Sequence, residues 1–197
     1  LPYFKKYEKR LGEHDETYRG SKGELPITDL EYRDPLCEAF IKGAVEEGIP
    51  LNKDYNGEFQ EGVSYVQRTT KGRFRVSAAK AFLNPVKSRQ NLDIITDAFV
   101  TKIVIENKTA TGVEYLKGGV RGKKEILRAN KEVILSSGVI KSPHLLNLSG
   151  IGSGEYLKDI GIDVIHDLKG VGMNLRDHFA PRMTARAKNI ETVNEKS

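Results

Sequence analysis

Residues 131–152, KEVILSSGVIKSPHLLNLSGIG, hold the clearest fold signal in the chain. Val133, Ile134 and Leu135 form an apolar run that stops at Ser136, Ser137 and Gly138, which predicts a buried strand ending in a tight loop. A helix is expected next. Ser142 can cap it through its hydroxyl, Pro143 suits a first helical position because its missing N–H would be unpaired there anyway, and Leu145, Leu146 and Leu148 supply an apolar face. Gly150 and Gly152 then end the helix. A strand that delivers a small-residue loop to a helix start is how open α/β sheets set backbone N–H groups beside a ligand. The same pattern serves any strand-loop-helix unit of an α/β domain, so the spacing alone does not name a ligand.

Upstream of this stretch the pattern is that of strands. Leu92, Ile94 and Ile95 predict one strand, Val100 to Glu106 a second, Gly112 to Lys117 a third and Lys124 to Ala129 a fourth. Turn chemistry at Asn107-Lys108 and Gly118-Gly119 makes the last three an antiparallel meander. The run at Val133 is apolar on both faces and so belongs inside a sheet. Downstream, residues 153–161 predict a short helix, Ile162 to Ile165 a strand, and Gly170 to His178 a glycine-rich loop. Arg182 to Ala187 alternate like an edge strand.

The amino-terminal part is more polar. Residues 1–12 predict an amphipathic helix with Tyr3, Phe4, Tyr7 and Leu11 on one side, and residues 12–34 a loop holding a short strand at Leu25 to Ile27. Pro35 opens a helix over residues 35–47 that Gly48 closes. Loops with short strands follow, the first near Val63 to Gln67, and Ser77 can cap a helix from Ala78 to Asn84 that Pro85 ends. Cys37 shares a helical face with Phe40, Ile41, Ala44 and Val45, which predicts a buried, inert thiol.

Composition bounds the function. At 197 residues, with 38% hydrophobic and 30% charged, the chain has the balance of a globular protein and enough length for a real core. No apolar run approaches the roughly 20 residues of a spanning helix. The net charge of +5 is spread along the chain without interleaved aromatics, so a nucleic-acid surface is not indicated. One cysteine excludes an internal disulfide, and the four histidines, His14, His144, His166 and His178, form no metal-ligand pair at helical spacing. There is no G-x-G-x-x-G, because Gly150, Gly152 and Gly154 have the wrong spacing and end a helix instead of opening one. No Ser, His and acid constellation points to hydrolysis.

GVIKSPHLLNLSGIG resembles the second signature of the glucose-methanol-choline (GMC) family of flavin oxidoreductases, and GIDVIHDLKGVGMNLRDH resembles that family's continuation. LPYFKKYE, DYNGEFQEG, GRFRVSAAKAFLNP, NLDIITDAFVTKIVI and TGVEYL fall in the family's order upstream, so the resemblance covers nearly the whole chain. Its flavour is that of the choline-dehydrogenase-like branch. Val139 departs from it, since the family usually has a small residue there.

The resemblance implies an α+β fold: an α/β flavin-binding domain with an FAD/NAD(P)-binding-like sheet and β-meander, plus part of an antiparallel-sheet substrate domain. Residues 1–85 would be linking helices and part of the substrate-binding domain, 86–180 part of the FAD-binding domain, and 181–197 the start of a substrate-domain strand. The chain then reads as an internal fragment, with the dinucleotide fingerprint amino-terminal to it and the catalytic histidine beyond Ser197. The implied cofactor is FAD and the implied substrate a small-molecule alcohol that gives hydride to it, with the electron acceptor left open. Val100, in DAFVTKI, would offer main-chain N–H and C=O to the adenine edge. Ser137 and Gly138 would lie at the adenosine part, Gly138 allowing close approach because it lacks a Cβ. Asn174, Asp177 and His178, in NLRDH, would brace the loop near the flavin. No catalytic residue is expected within the chain, and the fragment alone is expected to be inactive. From the residues without the resemblance, a stand-alone, non-catalytic α/β binding domain for an acidic partner stays open.

Overall fold

A computed structural model describes residues 1–184, 186 and 188. The chain divides into two compact units, one built on Leu1–Ile94 and the other on Ile95–Met183.

In the first unit helix α1 (Pro2–Tyr7) stops five residues before the amphipathic pattern does. Strand β1 (Glu8–Arg10) takes over because it pairs in parallel with β2 (Leu25–Ile27). Two arginines lock that junction. Arg10, 3% exposed, donates from Nη2 to both carboxylate oxygens of Asp29 at 2.7 Å. Arg19, equally buried, holds Glu8 (2.6 Å from Nη2), Asp54 and the side chain of Gln67. Burial alone would raise the Glu8 carboxyl, but hydrogen bonds from Arg19 and the Gly20 N–H and the charges of Arg19 and Arg10 outweigh it and hold the group below its ordinary value.

Helix α2 (Pro35–Glu46) begins where the proline predicts, with Asp34 capping it by accepting from the Leu36 N–H at 2.9 Å. None of its residues is buried. Cys37 is therefore exposed, against the expectation of a buried thiol, because no described element covers the apolar face of α2. Val63 to Gln67 form no strand. Val63 makes one isolated bridge to Leu51 and Arg68 one to Thr28, and the ladder forms further on, as a hairpin of β3 (Thr70–Lys71) and β4 (Phe74–Arg75). The helix expected after Ser77 is a π-turn over Ala79–Leu83, with the Lys80 N–H bonded to Ser77 Oγ at 3.3 Å. Leu92 to Ile95 form no strand, and Ile94 and Ile95 are exposed.

The second unit is built on the meander of β5 (Ala98–Glu106), β6 (Thr109–Lys117) and β7 (Lys123–Arg128), paired in that order. Asn107 and Lys108 both take positive φ, the conformation a two-residue hairpin needs. Helix α3 (Gly138–Leu148) packs on β5, and Ile103, Tyr115, Leu145 and Leu157 are buried. Beyond it β8 (Ile151–Gly152) pairs in parallel with β9 (His166–Asp167), with α4 (Gly154–Asp159) between them.

Four further expectations are corrected here. Val133 to Leu135 pair with no strand among the described residues, and Ile134 is 79% exposed, because an internal parallel strand needs neighbours that the described residues do not supply. Helix α3 starts at Gly138, so Pro143 lies inside it and Ser142 caps backwards, its hydroxyl accepting from the Ser137 N–H at 3.1 Å. The strand expected at Ile162 to Ile165 is displaced to His166–Asp167, because the Gly150 carbonyl captures the N–H groups of both Ile165 and His166. Of the closing strand expected at Arg182 to Ala187, Arg182 to Thr184 and Arg186 have no regular structure, and Ala185 and Ala187 lie outside the described residues.

Candidate functional site

The expected cofactor residues all fall in the second unit, and Val100 has the most informative setting. It lies in β5 opposite Tyr115 of β6, and β5 is at the edge of the sheet. In an antiparallel ladder the two backbone groups of a residue point to the same side, and the side alternates along the strand. The Ala129 N–H donates to the Thr111 carbonyl at 2.9 Å, so Thr111, Val113 and Tyr115 turn their backbone groups toward β7. Ile103, opposite Val113, agrees, since its N–H goes not to β6 but to Ser149 Oγ at 2.8 Å. Val100, opposite Tyr115, thus faces its N–H and C=O away from β6, onto the open edge. Its residue is 36% exposed.

A bulge follows at once. The register shifts between Val100 and Lys102, which makes Thr101 the extra residue. Thr101 is anchored, its hydroxyl donating to Glu114 Oε1 at 2.7 Å. That bond, assisted by Lys124 at 3.3 Å, holds the Glu114 carboxyl below its ordinary value despite some burial. The bulge therefore gives Val100 a fixed aim.

Ser137 is the N-cap residue of α3, and Gly138 opens the helix at φ +84, a conformation that favours glycine. A Cβ built on Gly138 meets nothing within 4 Å, so the space over it is open. The loop from Gly170 to His178 runs past the same helix: a Cβ on Gly172 would lie 3.9 Å from Asn147 Nδ2 and from Pro143 Cβ. Asn174 takes φ +58, and Asp177 Oδ1 accepts from the N–H of His178 at 2.8 Å, so these residues shape the loop itself. Among the described residues none of Asn174, Asp177 and His178 hydrogen-bonds to Val100, Ser137 or Gly138. Helix α3 lies near both, joined to β5 through Ser149 at its C-terminal end and with Pro143 and Asn147 toward Gly172 of the loop. Ser149 escapes sequence reading, because a serine at a helix end before Gly150 looks like an ordinary terminus.

A cavity of about 910 Å³ opens in the first unit. Its walls hold five carboxylates (Glu13, Asp15, Asp29, Glu38, Asp54) against three permanent cations (Arg10, Arg33, Lys53), and Arg10 is already neutralised by Asp29. With Asp29 paired to Arg10 and Asp54 to Arg19, the walls carry no excess of cations to hold a pyrophosphate. Buried Arg10 Nε, His14 Nε2 and Asp54 Oδ2 make no hydrogen bond there, groups of the kind that ordered water satisfies. The second unit suits a dinucleotide better. Val100 offers a donor and an acceptor on an open edge, as an adenine edge requires, and Gly138 leaves room for close approach. These residues fit the adenosine half of FAD, and no glycine-rich helix start among the described residues fits its pyrophosphate.

Comparison with known proteins identifies the family. Residues 1–180 match the family described as GMC oxidoreductase. The oxygen-dependent choline dehydrogenase of Rhizobium rhizogenes is 46% identical over 91% of this chain and 32% of its own length. The alcohol dehydrogenase [acceptor] of Pseudomonas putida is 43% identical over 89% of this chain and 32% of its own. An FAD-dependent oxidoreductase from Chaetomium thermophilum superposes with a TM-score of 0.80 at 31% identity, over 86% of this chain and 31% of that one. The chain thus spans about a third of the length of the curated relatives it matches. With the family matched over residues 1–180, the chain belongs to the GMC oxidoreductases.

Proposed function

We propose that the protein carrying this chain is an FAD-dependent oxidoreductase acting on the CH–OH group of a small-molecule alcohol, and that this chain supplies the adenosine-side contacts of the cofactor. The observation that carries the reading is the outward-facing backbone of Val100 on the open edge of β5. There its N–H and C=O would hold the adenine edge, while Ser137 and Gly138 line the approach to the adenosine. Asn174, Asp177 and His178 would shape the loop that carries the chain toward the flavin. Residues 86–180 then form part of the FAD-binding domain, with residues 1–85 and 181–197 contributing to the substrate-binding domain. FAD, when bound, accepts the hydride from the alcohol carbon. The residues of this chain orient it, and the base that takes the hydroxyl proton is supplied from outside them. Family membership leaves the reading as a stand-alone domain for an acidic partner without support.

The test is made on the full-length protein. Purified protein should contain FAD, and choline or a primary alcohol added without oxygen should bleach the flavin absorbance. Readmitting oxygen, or adding a dye acceptor, then identifies the acceptor. Protein that folds yet neither contains nor takes up FAD would overturn the proposal, as would flavin that no alcohol reduces.

A further inference from the structure

We infer that Ser149 is a positioning residue for the adenosine half of the cofactor: its hydroxyl pins the free edge of β5 to the end of α3 and so fixes where Val100 presents its backbone. This rests on the reading of Val100 given above and extends it to a residue that makes no contact of its own with adenine.

Ser149 follows the last residue of α3 and is 4% exposed. Its hydroxyl donates to the Leu145 carbonyl at 2.6 Å, one turn back in the helix. The single proton is thereby committed, and a lone pair is left to accept the Ile103 N–H at 2.8 Å. Each partner is buried, with Ile103 8% and Leu145 8% exposed. The bond is thus a polar rivet between a helix and the edge of a strand, with its direction set from both sides.

Packing alone does not hold this edge. A cavity of about 310 Å³ lies beside the rivet, lined by Lys102, Ile103, Ser149, Gly150 and Ile165 among others. With room on that side, the edge of β5 has freedom to shift unless a directional bond holds it. Val100 lies three residues before Ile103 in β5, across a bulge that the Thr101–Glu114 bond anchors, so the position of Ile103 helps to set that of Val100. Ser149 also divides the edge in two. Beyond Val100 the outward N–H of Ile103 is filled from within the protein, whereas that of Val100 is left for a ligand.

The experiment uses the full-length protein stripped of flavin. ADP affinity reports the adenosine side and FMN affinity the flavin side, each measured by competition with FAD on the folded protein. Ser149→Ala leaves the Ile103 N–H buried without an acceptor, and ADP affinity should fall on the order of tenfold while FMN affinity holds. Ser149→Thr keeps the hydroxyl and should restore ADP binding. ADP affinity within about twofold of wild type in Ser149→Ala overturns the inference, since a tenfold loss is the size such a bond predicts. An equal loss of ADP and FMN overturns it too, because that is general loosening. Should Ser149→Ala not fold, Ser149→Cys replaces it, with a weak acceptor in nearly the same volume; ADP affinity equal to wild type there is again the overturning result. Wild-type protein that binds no FAD would sink the proposed function and this inference together, whereas FAD-loaded wild type beside an unaffected Ser149→Ala sinks only the role of Ser149.

Discussion

At Val100 the proposed task belongs to the backbone and not to the side chain, and the register shows which variants separate the two. The valine side chain offers a base no hydrogen bond, so Val100→Ile should leave flavin content near that of wild type. Val100→Pro removes an N–H that faces the open edge and belongs to no ladder bond with β6, so the sheet should tolerate it. An acceptor left unsatisfied in the complex costs about 1–3 kcal/mol, and flavin per folded protein should drop accordingly. Val104→Pro is the contrast. Its backbone points toward β6, so it should lower stability in circular dichroism melts more than Val100→Pro does. If Val100→Pro folds and keeps its full complement of FAD, Val100 is only a strand residue. No amino-acid type could announce such a role, since every residue but proline has an N–H; the direction of that N–H is decided by register, which only the ladder shows.

Among the elements, those that satisfy their own hydrogen bonds locally were the ones legible in the sequence. The meander is closed by a two-residue turn at Asn107-Lys108 and needs only its own strands, and α2 brings its own cap in Asp34. The run at Val133 to Leu135 has strand composition but depends on distant neighbours, and α1 gives up residues 8–10 to a parallel pairing that no local pattern signals. That pairing has a testable pH dependence. Glu8 faces Arg19 and Arg10, with Asp54 sharing Arg19, and its folded pKa lies below its ordinary value of about 4.5. A depressed carboxylate adds stability above that ordinary value, and the contribution is lost as pH falls through the folded pKa. Glu8→Gln should therefore destabilise the protein at neutral pH by about 1–3 kcal/mol, because buried Arg19 loses one charged acceptor. Thermal midpoints of wild type and variant, measured from neutral to acid pH, should converge at the acid end. A constant gap across that range would show that Glu8 acts by packing and not by its charge.

At the scale of the whole molecule, the two units define what the residues 1–197 can do when isolated. The second unit presents an open strand edge at Val100, yet Ile134, Ile140, Phe179 and Met183 are 60–96% exposed, and the Val133 run has no strand beside it among the described residues. The sequence contains no G-x-G-x-x-G, so the pyrophosphate has no helix start of that kind to lie against. Of the four histidines, His178 lies in the exposed loop, His166 in a two-residue strand and His144 on the exposed side of α3, His14 lies in the first unit with its Nδ1 bonded to the Gly12 carbonyl, and the family resemblance matches none of them to the base. Without a general base, hydride transfer typically loses on the order of a hundredfold to ten-thousandfold in rate, before weak cofactor binding is counted. Residues 1–197, expressed by themselves and given FAD, a panel of primary alcohols and a dye acceptor, should therefore show no turnover above a heat-killed control. Circular dichroism shows whether the meander has folded in that sample, which separates a missing site from a collapsed chain. Sustained dye reduction by the folded fragment would mean that it holds a complete flavin site and a base of its own, and the assignment of this chain to adenosine-side support alone would have to be abandoned.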